Sequence, residues 1–147
     1  MPSILRKVGI RSASPNDVYR ALTTTDGLSA WWKADTKGDS NVGGVLQFRF
    51  GAGGFDMKVL ELHPATYVLW QVVDGPREWI GTTISFDLKE NDGWTIILLK
   101  HDGWKEPVEF LHHCSNKWAV FLLSLKLLLE TGRSAHYPGE IKLDSLE

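Results

Sequence analysis

Cysteine is nearly missing from this chain. Cys114 is the only one, so no internal disulfide can form, and the composition fits a reducing compartment, with the cytoplasm as the expected location. Long apolar runs are missing too. The longest, residues 119–129, is interrupted by Ser124 and Lys126 and falls short of the about 20 residues that cross a bilayer, so no membrane span is expected. The opening MPSILRKVGIRSASP lacks the apolar core and small-residue cleavage site of a signal peptide. Neither charge dominates: 16 Lys and Arg face 18 Asp and Glu, a formal net charge of -2 with both signs scattered. That leaves no basic footprint for a nucleic-acid backbone. Internal repeats and low-complexity segments are lacking, and 147 residues hold a single hydrophobic core.

Catalytic and metal-binding signatures are equally scarce. Gly51-Ala52-Gly53-Gly54 lacks the Lys-Ser/Thr of a phosphate loop and reads as a turn. No nucleophile elbow, Ser-His-Asp ordering or pair of catalytic carboxylates is defensible. His112, His113 and Cys114 are metal-ligand types, but consecutive helical residues point about 100° apart and do not converge on one ion. No catalytic residue, metal site or cofactor is nominated. Glu61 near His63, like Asp56, Glu78 and Arg49, reads as a solvated face or a polar pair within the sheet.

Tryptophan, by contrast, is abundant. Seven are present, and each buries about 150–250 Å² when inside, so the fold provides wide, flat apolar walls. Along the chain, Ile4, Arg6, Val8 and Ile10 alternate with Leu5, Lys7, Gly9 and Arg11 as a first strand. Ser14-Pro15-Asn16-Asp17 then opens a helix, with Ser14 as cap, Pro15 in the first turn, Asp17 at the positive end of the dipole, and Val18, Ala21 and Leu22 on one face. The run 23–27 breaks that helix and caps a second, one short turn over residues 28–32 ending in Trp31-Trp32.

From Asp35 the period changes to that of strands. Residues 35–39, 45–50, 55–63, 67–73, 79–89 and 94–101 are separated by Gly, Pro and Asn-Asp-Gly punctuation. Ile80, Thr82, Ile84, Phe86 and Leu88 define the clearest single face, ending at the hairpin signal Glu90-Asn91-Asp92-Gly93. The alternation slips between Val59 and Leu60, as either a bulge that bends the strand or a register slip. Residues 108–131 form a helix about 35 Å long that stops at Gly132. Leu111, Cys114, Trp118, Phe121, Leu122, Leu125 and Leu129 share its broad apolar stripe. Val120, Leu123 and Leu127 form a narrower second stripe, covered by the tail 134–147 through Tyr137, Ile141 and Leu143, covered by a second subunit in a homodimer, or merely reflecting a Leu-rich composition.

The order strand, two helices, meander, long helix is α+β. It resembles the START-like (SRPBCC) ligand-binding superfamily, in the branch related to the activator of the Hsp90 ATPase, over nearly all of residues 4–132. Four stretches carry the resemblance: Ser14-Pro15 with Val18, Ala21-Leu22 and Trp31-Trp32; Val42-Gly43-Gly44 through Phe48-Arg49-Phe50-Gly51; Val59-Leu60-Glu61-Leu62-His63-Pro64 with Leu69-Trp70; and His101-Asp102-Gly103-Trp104 with Trp118, Leu125 and Leu129-Glu130-Thr131-Gly132. The resemblance implies a helix-grip fold, a curved antiparallel sheet of about six or seven strands around the long C-terminal helix, in a domain of residues 1–133 with a tail at 134–147. It also implies an apolar cavity that often holds a lipid-like or aromatic molecule, while co-chaperone relatives touch a chaperone instead. Two departures stand out: Lys117 before Trp118 where relatives carry Gly, and an unusually apolar outward row, Trp94, Ile96 and Leu98, which reads as an interface.

An empty cavity of about 300 Å³ would cost about 7 kcal/mol, comparable with the stability of a small domain, so water, a ligand or inward-packed aromatic side chains must fill it. Candidate lining residues are Trp31, Trp32, Phe48, Phe50, Trp70, Phe86, Trp104, Trp118 and Leu122, each a pocket wall or ordinary packed core. His101, at a strand end, is either a structural group or a hydrogen-bonding group facing the ligand. Three functions compete: a non-enzymatic binder of a small apolar or aromatic molecule, a co-chaperone-like protein-interaction module, and a cyclase- or hydrolase-like enzyme using His101 as acid–base group.

Overall fold

A computed structural model describes residues 2–32, 35–50 and 53–132. Strand β1 (Ile4–Ile10) leads into helices α1 (Pro15–Thr23) and α2 (Thr25–Trp32), followed by β2 (Asp35–Gly38), β3 (Val45–Phe50), β4 (Gly53–His63), β5 (Tyr67–Asp74), β6 (Thr83–Asn91), β7 (Trp94–Asp102) and helix α3 (Glu109–Thr131). All seven strands form one antiparallel sheet in the order β1-β7-β6-β5-β4-β3-β2. The first strand thus pairs with the last, and α1 and α2 carry the chain across one face to the far edge. Helix α3 lies on that same face, so the expected helix-grip α+β fold is present.

Local chemistry sets the elements. Ser14 Oγ accepts from the Asp17 N–H while the Asp17 carboxylate accepts from the Ser14 N–H, a reciprocal cap for α1. At the second helix the Gly27 N–H donates to Thr24 Oγ1, and α2 begins at Thr25, a turn earlier than the residue pattern implied. Gly27 also has a steric reason: a Cβ there would stand 2.8 Å from the Ala21 Cα and 2.9 Å from the Arg20 carbonyl oxygen, so only glycine lets the two helices approach this closely.

The strands expected at 45–50, 67–73 and 94–101 form nearly as read. The slip near Val59 is a β-bulge, with pairing shifted between Val59 and Glu61, and a second shift lies at Asp56/Met57. Asp92 and Gly93 both have positive φ, 54° and 79°, the two-residue turn that Asp-Gly favours between twisted strands. Gly53 and Gly54, expected in a turn, open β4, and residues 51–52 lie outside the described set. The Glu61–His63 and Arg49–Asp56 pairs form on the exposed side of the sheet.

One strand start needs correction. Residues 79–82 form a turn, closed by the Thr82 N–H donating to the Trp79 carbonyl, with Gly81 at φ 88°. The left-handed glycine breaks the alternation, so Ile80 points outward at 52% exposed while Trp79 turns into the core.

On α3 the stripe from Cys114 to Leu125 is buried and Leu111 and Leu129 are half-buried against it. Val120 is also buried, leaving Leu123 exposed and Leu127 half-buried, so the second stripe is narrower than expected. The tail anchors Tyr137, Ile141 and Leu143 fall outside the described residues. The polar interruptions of this helix act as tethers. Ser124 Oγ–H donates to the Trp31 carbonyl at 2.6 Å, and Lys126 Nζ donates to the Gly9 carbonyl and to Glu130 Oε2. Lys126 and Arg11 also flank the Trp94 ring at 5.0 Å and 4.3 Å, so that part of the outward row is roofed by cations, while Leu98 remains exposed. Among the described residues no helix is long and apolar enough to cross a membrane.

Candidate functional site

The ten residues nominated from the sequence belong to one core, and nine of them join through ring contacts around two centres. The first is Trp32, fully buried at the end of α2. Its ring meets Trp31 at 5.0 Å, Phe48 at 4.8 Å, Trp70 at 6.4 Å, Trp118 at 5.3 Å and Phe50 at 6.5 Å. Phe55 and Phe121, not nominated, complete the ring at 5.5 Å and 5.0 Å. Phe86 closes the sheet side through Trp70 and Trp118, and Leu122 is buried in the same core. These spacings are those of touching aromatic pairs. Inward-packed aromatic side chains occupy the space between helix and sheet at these positions.

The second centre is His101, at the end of β7 and fully buried. Trp79 at 5.0 Å, Trp104 at 5.1 Å and Trp118 at 6.0 Å surround its ring, and Trp118 links the two centres. Alternation alone places Trp79 at the start of a strand; the signal that puts it inside is Gly81, two residues on, which ends the alternation. Hydrogen bonds fix the state of the imidazole. The Trp118 indole N–H donates to His101 Nδ1 at 3.0 Å, so that nitrogen carries no proton. His101 Nε2 then donates to Thr82 Oγ1 at 2.8 Å, and the Thr82 O–H donates to the Trp79 carbonyl. Burial holds the His101 pKa down to about 3, against a weak opposing pull from Asp102. A neutral imidazole with both nitrogens engaged is held as a hydrogen-bonded group within the core.

The other indole groups divide sharply. Trp31 donates to the Ala21 carbonyl at 2.9 Å and Trp79 to Cys114 Sγ at 3.3 Å. Trp32 Nε1 and Trp104 Nε1 are buried and have no partner among the described residues. A buried donor left unpaired costs about 1–3 kcal/mol, and buried tryptophans usually find an acceptor. Both sit in a core whose buried polar side chains are Thr36, Thr82, Thr95, His101, His113 and Ser124, with no Lys, Arg, Asp or Glu among the described buried residues. His112 is exposed, His113 is buried against Phe110, and Cys114 takes the Trp79 N–H, so these three diverge as helical geometry requires.

The cluster is approached at Phe50, which is half-buried, and at Phe121, over whose ring the Lys117 ammonium lies at 5.3 Å. Lys117 therefore stands at the rim of the aromatic core.

Comparison with known proteins places this geometry. The family model described as Activator of Hsp90 ATPase homolog 1-like protein matches residues 12–130. The solution structure of the Aha1 dimer from Colwellia psychrerythraea is 46% identical, with a TM-score of 0.83 over 90% of this chain and 98% of that one. Two further solved structures share the fold alone. CalU16 from Micromonospora echinospora is 18% identical, with a TM-score of 0.72 over 96% of this chain and 77% of that one. Protein MLL2253 from Mesorhizobium loti is 18% identical, with a TM-score of 0.75 over 87% and 96%. No curated protein matches the chain.

Proposed function

The chain belongs to the Activator of Hsp90 ATPase homolog 1-like family, and on that premise we propose that it binds, without catalysis, a small apolar or aromatic molecule at the cluster around Trp32. The observation that carries this reading is the buried indole N–H of Trp32, which no described residue satisfies, with a second such donor on Trp104 beside His101. A core built only for stability gains nothing from two unpaired donors. A binding core gains specificity from them, because a molecule that supplies an acceptor removes the penalty as it arrives. Phe50 is the ring to move aside: it is half-buried, and its contact with Trp32 is the longest of the seven. The ligand then exchanges ring–ring for ring–ligand contact.

Native mass spectrometry of the chain purified from cell extract tests the reading. The expected result is a retained small molecule that organic solvent releases, or, when that is washed out, binding of a naphthalene-type probe with quenching of tryptophan emission. A protein that retains nothing and takes up no such probe refutes it.

Leu123 favours a second reading, a protein-docking module. Its side chain is 40% exposed on α3, with Leu127 half-buried four residues on. The occupant this supports best is a second copy, since the 46% identical solved relative is a dimer. Leu123→Asp should convert a dimer into a folded monomer in sedimentation velocity, and a parent chain that sediments as a monomer throughout refutes this. A chaperone docked on the same face would instead be lost from pull-down in the same variant.

A further inference from the structure

The chemistry around Trp32 restricts what can be bound there, and this step rests on the binding reading above. Trp32 Nε1 can only donate, and it lies in a ring-lined site from which solvent is excluded. Its complement must therefore bring an acceptor. The surrounding rings, Trp31, Phe48, Phe55, Trp70, Trp118 and Phe121, call for a flat aromatic body.

Charge decides between the possible acceptors. A carboxylate held against Trp32 would sit in a core with no buried Lys or Arg among the described residues. One indole N–H does not compensate the desolvation of an ion. On the described rim Lys117 lies over Phe121 rather than against Trp32, and the Arg49 guanidinium is engaged on the outer side of the sheet by the Phe48 and Phe55 carbonyls and the Asp56 carboxylate. His101 offers no positive charge either, since its Nδ1 is occupied as an acceptor from Trp118. A hydroxyl brings a donor with its acceptor and so needs a second partner in a ring-lined site, whereas a carbonyl brings an acceptor alone. We infer that the molecule received at Trp32 is an uncharged aromatic carbonyl compound, a ketone, ester or quinone, whose oxygen accepts the Trp32 indole N–H.

Three probes of one skeleton separate the possibilities: 2-acetylnaphthalene with a neutral acceptor, 2-ethylnaphthalene with none, and 2-naphthoate with a charged one. Binding is followed on the full-length chain, labelled with nitrogen-15, through its indole N–H resonances, assigned with Trp32→Phe and Trp104→Phe. The ketone should bind on the order of tenfold more tightly than the ethyl compound, the discrimination expected of one neutral hydrogen bond to an otherwise unpaired donor. It should also move the Trp32 indole proton downfield, which the ethyl compound should not do. Trp32→Phe should bring the two probes to within about twofold, while Trp104→Phe preserves the difference. Equal affinity for the ketone and ethyl compounds overturns the carbonyl inference and leaves apolar binding standing. Tightest binding by 2-naphthoate, lost in Lys117→Met, overturns it in favour of an anion held at the rim. Failure of all three probes to move any indole resonance overturns the binding reading itself. The wild-type series needs no variant, so a poorly folding Trp32→Phe chain does not weaken the test.

Discussion

Acidification should destabilise this fold through His101 before its carboxylates titrate. The imidazole has a folded-state pKa of about 3, lowered by burial, against about 6.5 when unfolded. Between those values the unfolded chain takes up the proton and the folded chain does not. The stabilisation is therefore complete above about pH 6.5 and is lost progressively as the pH falls toward about 3. At pH 5 the difference in proton binding amounts to about 2 kcal/mol. For a urea dependence of about 1–3 kcal/mol per M, that is a drop of about 1 M in the denaturation midpoint between pH 7.5 and pH 5. The carboxyls of Asp17, Asp102 and Glu130 are held below their usual range, chiefly by the Ser14 N–H, the Ser3 hydroxyl and the Arg11 N–H respectively, so their contributions disappear only at lower pH. His101→Gln isolates the effect, because the amide can still accept from Trp118 or donate to Thr82 but does not titrate. The variant should be less stable than the parent at pH 7.5 by about 1–3 kcal/mol, for imperfect pairing, yet should lose about 2 kcal/mol less on going to pH 5. Parallel losses in parent and variant would show that burial of a neutral His101 is not what shapes the acid limb.

Three further substitutions probe how the helices are seated. Gly27→Ala places a methyl group against the Ala21 Cα and the Arg20 carbonyl, and should cost about 1–3 kcal/mol in urea denaturation even though alanine favours helix more; a stabilised variant would mean that α1 and α2 separate easily. Ser124→Ala leaves the buried Trp31 carbonyl without its hydroxyl donor, a loss of about 1–3 kcal/mol that Ser124→Thr should partly restore. Lys126→Met keeps the stem over Trp94 but removes the ammonium that bonds to Gly9 and Glu130. Its cost should be about 1 kcal/mol or less and should shrink further in high salt.

Much of the fold was legible because several local signals agreed. Ser14, Pro15 and Asp17 specify one helix start by three separate mechanisms, and Asp92-Gly93 fixes a hairpin whose strands then pair in register from Asn91↔Trp94 to Thr83↔Asp102. Reading failed where a single residue overrode a pattern. Ile80 fits the alternation of Thr82, Ile84 and Phe86, yet the turn over 79–82, with Gly81 at φ 88°, interrupts that alternation, and Trp79 takes the inner position instead. Val120 looked like part of an outer stripe because a helical wheel assigns angle and not depth; it is buried while Leu123, three residues on, is exposed.

The site was legible in composition and not in its polar wiring. Excess tryptophan identifies an aromatic interior, and nine of the ten nominated residues do meet through ring contacts. Which indole has an acceptor depends instead on backbone carbonyls and on side chains far apart in sequence: Ala21 for Trp31, Cys114 for Trp79, His101 for Trp118. No periodicity encodes those pairings. Apolar burial therefore sets where the rings go, whereas the few donors left over carry the proposal about what else the core would accept. Trp32 and Trp104 are such donors, and under the proposed binding each would penalise the empty state by about the amount that a matching acceptor would recover.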